Sequence, residues 1–193
     1  RVRAGAAAMT ALSGMPISYM GPQLALGAGV IGALALGMLN GSPRRWLRLL
    51  GPLALLSALG LTYYAMPASG GPLLHLDGLG LAWQAIFYVG ALPMSLLINV
   101  DDEVPLALFL GAALGMSLLV ASCNLLMLFI GLEFMSLPAY LLVARGRSRT
   151  RACQEAAVKY FFAGSTAGAL FLFGMSMHYA ASRSLSLTAA PGM

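Results

Sequence analysis

The chain has 193 residues, 60% hydrophobic and 9% charged, with a mean hydropathy of +0.85 and a net charge of +5. Soluble domains carry roughly a quarter charged residues, so this composition cannot cover a water-facing surface and specifies an all-α polytopic membrane bundle. The arginines stand in short clusters between apolar runs, a topology signal rather than a nucleic-acid footprint, so no nucleic-acid partner is expected.

Residues 1–16 form an N-terminal extension that is rich in Arg and Ala and free of acids. That pattern suits either the remnant of an organellar targeting segment or an ordinary amphipathic N-terminus. A membrane helix needs about 20 apolar residues. Between residues 17 and 181, six stretches meet that length: Ile17–Leu39, Trp46–Met66, Gly78–Val100, Pro105–Ser122, Leu125–Val143 and Ala152–Ala181. Residues 182–193 are left as a tail. The connections are short and rich in Gly, Pro or charge, and none has room for a soluble domain.

Alternating the spans puts Arg44, Arg45, Arg48, Arg145, Arg147, Arg149 and Arg151 on one face, and Arg1, Arg3 and Arg183 on the other. The positive-inside rule makes the first face the inner one and places both termini outside. The loop RGRSRTR, with Arg145, Arg147, Arg149 and Arg151, is also a candidate contact for anionic lipid headgroups. Cys123 and Cys153 fall at opposite ends of the layout, about 30 Å apart, too far for a disulfide. His75 and His178 are isolated, without metal-ligand spacing; His178 and the pair His75 and Asp77 are expected to order interfaces or cap helices. No phosphate-cradling loop or nucleophile triad is present.

Two G-x-x-x-G patterns, Gly111–Gly115 and Gly164–Gly168, mark candidate helix contacts, because small residues let backbones approach closely. Glu133 lies near the middle of the fifth span. An ionisable group there costs a few kcal/mol at least. Leaving water favours the neutral acid, and a nearby cation favours the carboxylate, so a group balanced between them can load and release protons. Pro138, five residues on, removes a backbone hydrogen bond and should kink the helix and free the Phe134 carbonyl, which a hydrated path could use. Lys159, the single lysine, either faces the bundle as part of a buried charged line or pairs on the surface with Glu155 four residues earlier.

The stretch LFLGAALGMSLLVASCNLLMLFIGLEFMSLPAYLLVA, the basic loop after it, and EAAVKYFFAGSTAGALFLFGMSMHYAASRSLSL together resemble an antiporter-like membrane subunit of respiratory complex I. The type resembled is the N subunit of bacterial NADH:quinone oxidoreductase, subunit 2 in mitochondria; LLHLDGLGL resembles that family's third-helix entrance, and the likeness covers residues 73–188. The resemblance implies that Glu133 and Lys159 belong to a central charged line used for proton translocation. It also implies that NADH, flavin and iron–sulfur cofactors lie in other subunits and none in this chain. Members of the family have about fourteen helices around two inverted repeats. The six spans here lack the seventh- and eighth-helix lysines and the second repeat. The resemblance therefore leads us to expect a divided subunit whose helices seven to fourteen come from a separate chain, with other complex I membrane-arm subunits and membrane lipids as further partners. Two alternatives remain: a scaffold of the membrane arm without its own proton route, and a subunit of a multisubunit sodium/proton antiporter. The expected location is the mitochondrial inner membrane with both termini toward the intermembrane space, or else a bacterial inner membrane.

Overall fold

The computed structural model describes residues 20–38, 44–64, 74, 77–98, 103–146 and 150–187. Six helices span them: α1 (Gly21–Met38), α2 (Arg44–Tyr64), α3 (Gly78–Leu97), α4 (Glu103–Ala121), α5 (Leu125–Ala144) and α6 (Arg151–Ser182). All six are long and apolar enough to cross a membrane. The expected spans are met, with no boundary more than four residues from its expected place. The extension over residues 1–16 lies outside the described residues, and the tail is described to residue 187.

Local chemistry sets several ends. The Asp77 carboxylate accepts the Gly80 N–H at 2.6 Å and starts α3, the expected capping role. Asn124 accepts from Leu126 N–H at 2.9 Å to start α5, and Thr150 caps α6 through Cys153 N–H. At the far end of α6, Arg183 takes the left-handed conformation (φ 55°) and donates its N–H to the Tyr179 carbonyl at 2.8 Å. The chain then folds back: Leu125 N–H donates to Leu185 O at 2.8 Å, and Leu187 N–H to Cys123 O at 2.9 Å. The end of α6 is thereby tied to the α4–α5 turn.

α4 is the central element, packed against α1, α2, α3 and α5. Leu26, Ala33, Leu55, Ala58, Leu106 and Leu110 form the middle of the core between α1, α2 and α4. α6 packs only against α5 among the described helices. The α4–α5 crossing depends on two glycines. A Cβ on Gly115 would stand 2.6 Å from the Phe134 carbonyl carbon, and one on Gly131 would stand 2.8 Å from the Leu119 nitrogen. Real side chains do not fit there, so backbone meets backbone as the small-residue pattern anticipated.

A polar cluster sits inside α2, α3 and α4. Gln84, fully buried, donates from Nε2 to the carbonyl and the hydroxyl of Ser117, both at 3.2 Å, and its Oε1 accepts from Thr62 Oγ1 at 3.4 Å. Tyr88 donates its hydroxyl to Ser117 Oγ at 2.8 Å. Water is absent from a bilayer core, so buried polar atoms must satisfy one another in this way.

Candidate functional site

Glu133 sits eight residues into α5, about 12 Å from its start at 1.5 Å per residue. Phe129, Glu133, Ser136 and Tyr140 recur at helical spacing and form one stripe of α5. The facing stripe of α6 is Gly164, Ala167, Gly168 and Phe171. Together with Leu132 these residues line a half-open cavity of about 210 Å³. The carboxylate lies against Gly168, where a Cβ would come within 3.0 Å of Glu133 Oε1. The second G-x-x-x-G pattern therefore makes room for the carboxylate at Gly168 and, one turn away, for the Tyr140 hydroxyl at Gly164.

Aromatic contacts close the cavity at both ends. Toward the α4–α5 turn, Phe129 and Phe171 stack with ring centroids 5.8 Å apart. Toward the basic loop, Tyr140 meets Tyr160 edge-on at 4.6 Å and Phe161 at 5.8 Å. Each such pair adds about 0.5–1.5 kcal/mol beyond its burial, which favours a fixed seam over sliding helices. Ser136 donates its hydroxyl to the Leu132 carbonyl at 2.7 Å, so its oxygen still offers acceptor capacity toward the cavity.

The other residues singled out in the sequence lie elsewhere. Lys159 does not face α5: among the described residues its side chain is 74% exposed and pairs with Glu155 at 2.5 Å. The geometric reason is that the α5-facing stripe runs through residues 157, 160, 161, 164, 168 and 171. Lys159 lies roughly 150° around the helix from the mean of that stripe. Glu133 and Lys159 are thus on opposite sides of α6. Pro138 faces α4, with its ring beside Gly111, and α5 continues through it as one helix. The Phe134–Met135 backbone packs on Gly115 of α4.

Arg145 caps α5, donating its backbone N–H to Leu141 O at 3.0 Å, and Arg151 opens α6 exposed; Arg147, Arg149 and His75 lie outside the described residues. His178 is exposed, and its carbonyl accepts from Ser182 Oγ at 2.8 Å. Cys123 lies at the α4–α5 turn and Cys153 in the first turn of α6, neither in a disulfide. Among the described residues, no group of three metal-ligating side chains converges.

The family model for the transmembrane region of NADH:quinone oxidoreductase and Mrp antiporters matches residues 122–191, the stretch that carries the seam. The N subunit of NADH-quinone oxidoreductase from Coxiella burnetii is 52% identical over 75 residues, covering 39% of this chain and 15% of that protein. Subunit N 1 from Solibacter usitatus is 38% identical over 152 residues, 73% of this chain and 31% of that protein. A chain of respiratory complex I from Thermus thermophilus, solved with bound aureothin, superposes with a TM-score of 0.78 at 32% identity, covering 89% of this chain and 39% of the other. The chain is similar to the antiporter-like N-type membrane subunits of NADH:quinone oxidoreductase, and it spans less than a third of the length of the two curated relatives named here.

Proposed function

We propose that this chain is a proton-translocating part of the membrane arm of an NADH:quinone oxidoreductase, with Glu133 as its proton-carrying group. The observation that carries the reading is the Glu133 cavity. A carboxylate midway along a membrane helix is provided with about 210 Å³ of space, two further polar oxygens and an aromatic closure at each end. A purely structural acid would be paired; this one faces a space large enough for water.

Lys159 acts at a distance in this scheme. It stands nine residues from Gly168 along α6 and across the helix, which gives roughly 17 Å to the carboxylate. At an effective dielectric constant near 20 that is about 1 kcal/mol, and the Glu155 partner cancels most of it. Opening the Glu155–Lys159 pair would restore that field at Glu133 and bias its proton by a factor of about five. The exposed face of α6 carries this pair among Phe162, Leu170, Phe173 and Met177. It is the surface on which further helices of an antiporter-like unit would sit, on a separate chain or otherwise, and such helices would control the pair.

NADH, flavin and iron–sulfur chemistry belong in this scheme to other subunits of the complex. The basic end holding Arg145 and Arg151 faces the inner side and contacts anionic lipid. The relatives reported above are bacterial, which supports a bacterial inner membrane over the mitochondrial one expected from sequence. The test is Glu133→Gln in the intact complex. Assembly and quinone reduction should persist while protons moved per electron fall. An assembled variant that pumps at the parental ratio overturns the reading.

A further inference from the structure

The two glycines of the α5–α6 seam fix more than a helix contact. The Glu133 carboxylate rests at Gly168 and the Tyr140 hydroxyl at Gly164. Those positions are four residues apart on one face of α6, which is about 6 Å at 1.5 Å per residue. Two hydrogen bonds of about 2.8 Å that meet at the roughly tetrahedral angle of one water join oxygens about 4.5 Å apart, a separation of the same order as the rise between the two glycines. Both groups line the same cavity, and Tyr140 is the one titratable residue besides Glu133 that does. Ser136, between them on the stripe, has its proton committed to the Leu132 carbonyl and can only accept from such a water. The Tyr140 ring is 8% exposed and held edge-on by Tyr160 and Phe161, so its hydroxyl direction is set by packing.

We infer that Tyr140 is the hydrogen-bond partner of Glu133 through one bridging water, and that it controls passage of protons between the cavity and the basic-loop end of the bundle. The assignment rests on the proton-carrying role proposed for Glu133. The water donates one proton to the carboxylate and accepts the phenolic proton of Tyr140. When a proton arrives from the basic-loop side, the phenolic oxygen takes it and passes its own to the water, which passes one to Glu133. Tyr140 ends neutral with a different proton, Glu133 ends as the acid, and no other reactant is needed. Tyr160 and Phe161 close the same end of the cavity without a hydroxyl lining it, so Tyr140 provides the polar step through an otherwise aromatic closure.

The experiment is Tyr140→Phe in the intact complex, which deletes one oxygen and keeps the ring contacts. Reaction of Glu133 with a hydrophobic carbodiimide, which attacks the neutral acid, is followed by mass spectrometry; protons moved per electron are measured in proteoliposomes. Loss of a hydrogen bond to a charged group predicts labelling about tenfold faster, together with a lower pumping ratio at unchanged quinone reduction. A merely structural role for the ring would leave the labelling rate where it was. Gly168→Ala is the second variant. Its methyl group would stand 3.0 Å from Glu133 Oε1, crowding a water from the carboxylate, and should shift labelling in the same direction. If Tyr140→Phe and Gly168→Ala both label and pump like the parent while Glu133→Gln fails to pump, the Tyr140 assignment is overturned and the function stands. If Glu133→Gln pumps normally, the function falls first and this assignment with it. If Tyr140→Phe does not assemble, parental labelling in Gly168→Ala alone overturns the assignment.

Discussion

The α1–α4 unit and the α5–α6 seam handle polar groups inside an apolar bundle in opposite ways. In the first, Gln84, Ser117, Tyr88 and Thr62 satisfy one another with no charge among them. In that cluster the Gln84 amide and the Tyr88 and Thr62 hydroxyls each find an acceptor, and no group carries a charge. In the second, a single carboxylate faces a cavity lined by hydroxyls, on a helix pair that shares only one interface. Burial follows the same division, with 44% of the α4 span buried against 6% of α6. The bundle thus keeps its self-satisfied polar groups in one region and a lone carboxylate in another.

The sharpest way to break that division is to separate the two regions where they join. Gly131→Leu forces a side chain into a position where even a Cβ would stand 2.8 Å from the α4 backbone. Because both sides of the contact are main chain, the helices must move apart. The expected outcome is loss of the assembled complex on native gels, a larger effect than any substitution within the Glu133 cavity. Normal assembly would show that α4 and α5 are held by something other than this crossing.

The spans were legible in the sequence because a bilayer imposes a length, and uninterrupted apolar runs of that length leave little choice. Glu133 was legible because a charge at that depth is conspicuous, and both glycine patterns pointed to real contacts. The orientation of Lys159 was not. α6 is apolar on nearly every side, so no stripe selects the face that meets α5, and Glu155 at the preceding turn already supplied a local partner. Which neighbour Pro138 meets was not legible either; its ring packs toward Gly111 of α4. Tyr140 and Ser136 were missed because a hydroxyl amid aromatic and aliphatic residues looks like packing until α6 places Gly164 opposite. The Gln84–Ser117 pair spans 33 residues of sequence and exists only once α3 meets α4. A lone Gln in an apolar span was the one available signal.

Next in size is a contrast within the α1–α4 unit. Gln84→Leu removes three hydrogen bonds and leaves Thr62 and Ser117 with fewer partners. The cost should be about 1–3 kcal/mol, measured as a lower unfolding temperature of the detergent-solubilised complex. Gln23 is equally out of contact with solvent, at 5% exposure, but neither its side-chain nitrogen nor its oxygen has a protein partner. Gln23→Leu should therefore leave the unfolding temperature unchanged or raise it slightly. Equal losses from both substitutions would mean that the cluster adds no stability of its own.

The smallest effect is expected at the α4–α5 turn, where the two regions meet outside the membrane spans. Cys123 sits there beside the returning tail, with Leu187 N–H donating to its carbonyl at 2.9 Å. Burial pushes the Cys123 thiol above its ordinary range, against a smaller opposing effect of a backbone hydrogen bond. The thiolate is the species that maleimide captures, so a raised value leaves less of it near neutral pH. Labelling of Cys123 in the folded complex should be a few-fold slower at pH 7.5 than in the SDS-unfolded chain, and the gap should close as pH rises past the folded thiol's own value. Deleting residues 185–187 should remove the difference by opening the turn to water. Equal rates in folded and unfolded protein would mean that the tail does not cover the turn, and that the α5–α6 seam is fastened to the core by the Gly115–Gly131 crossing alone.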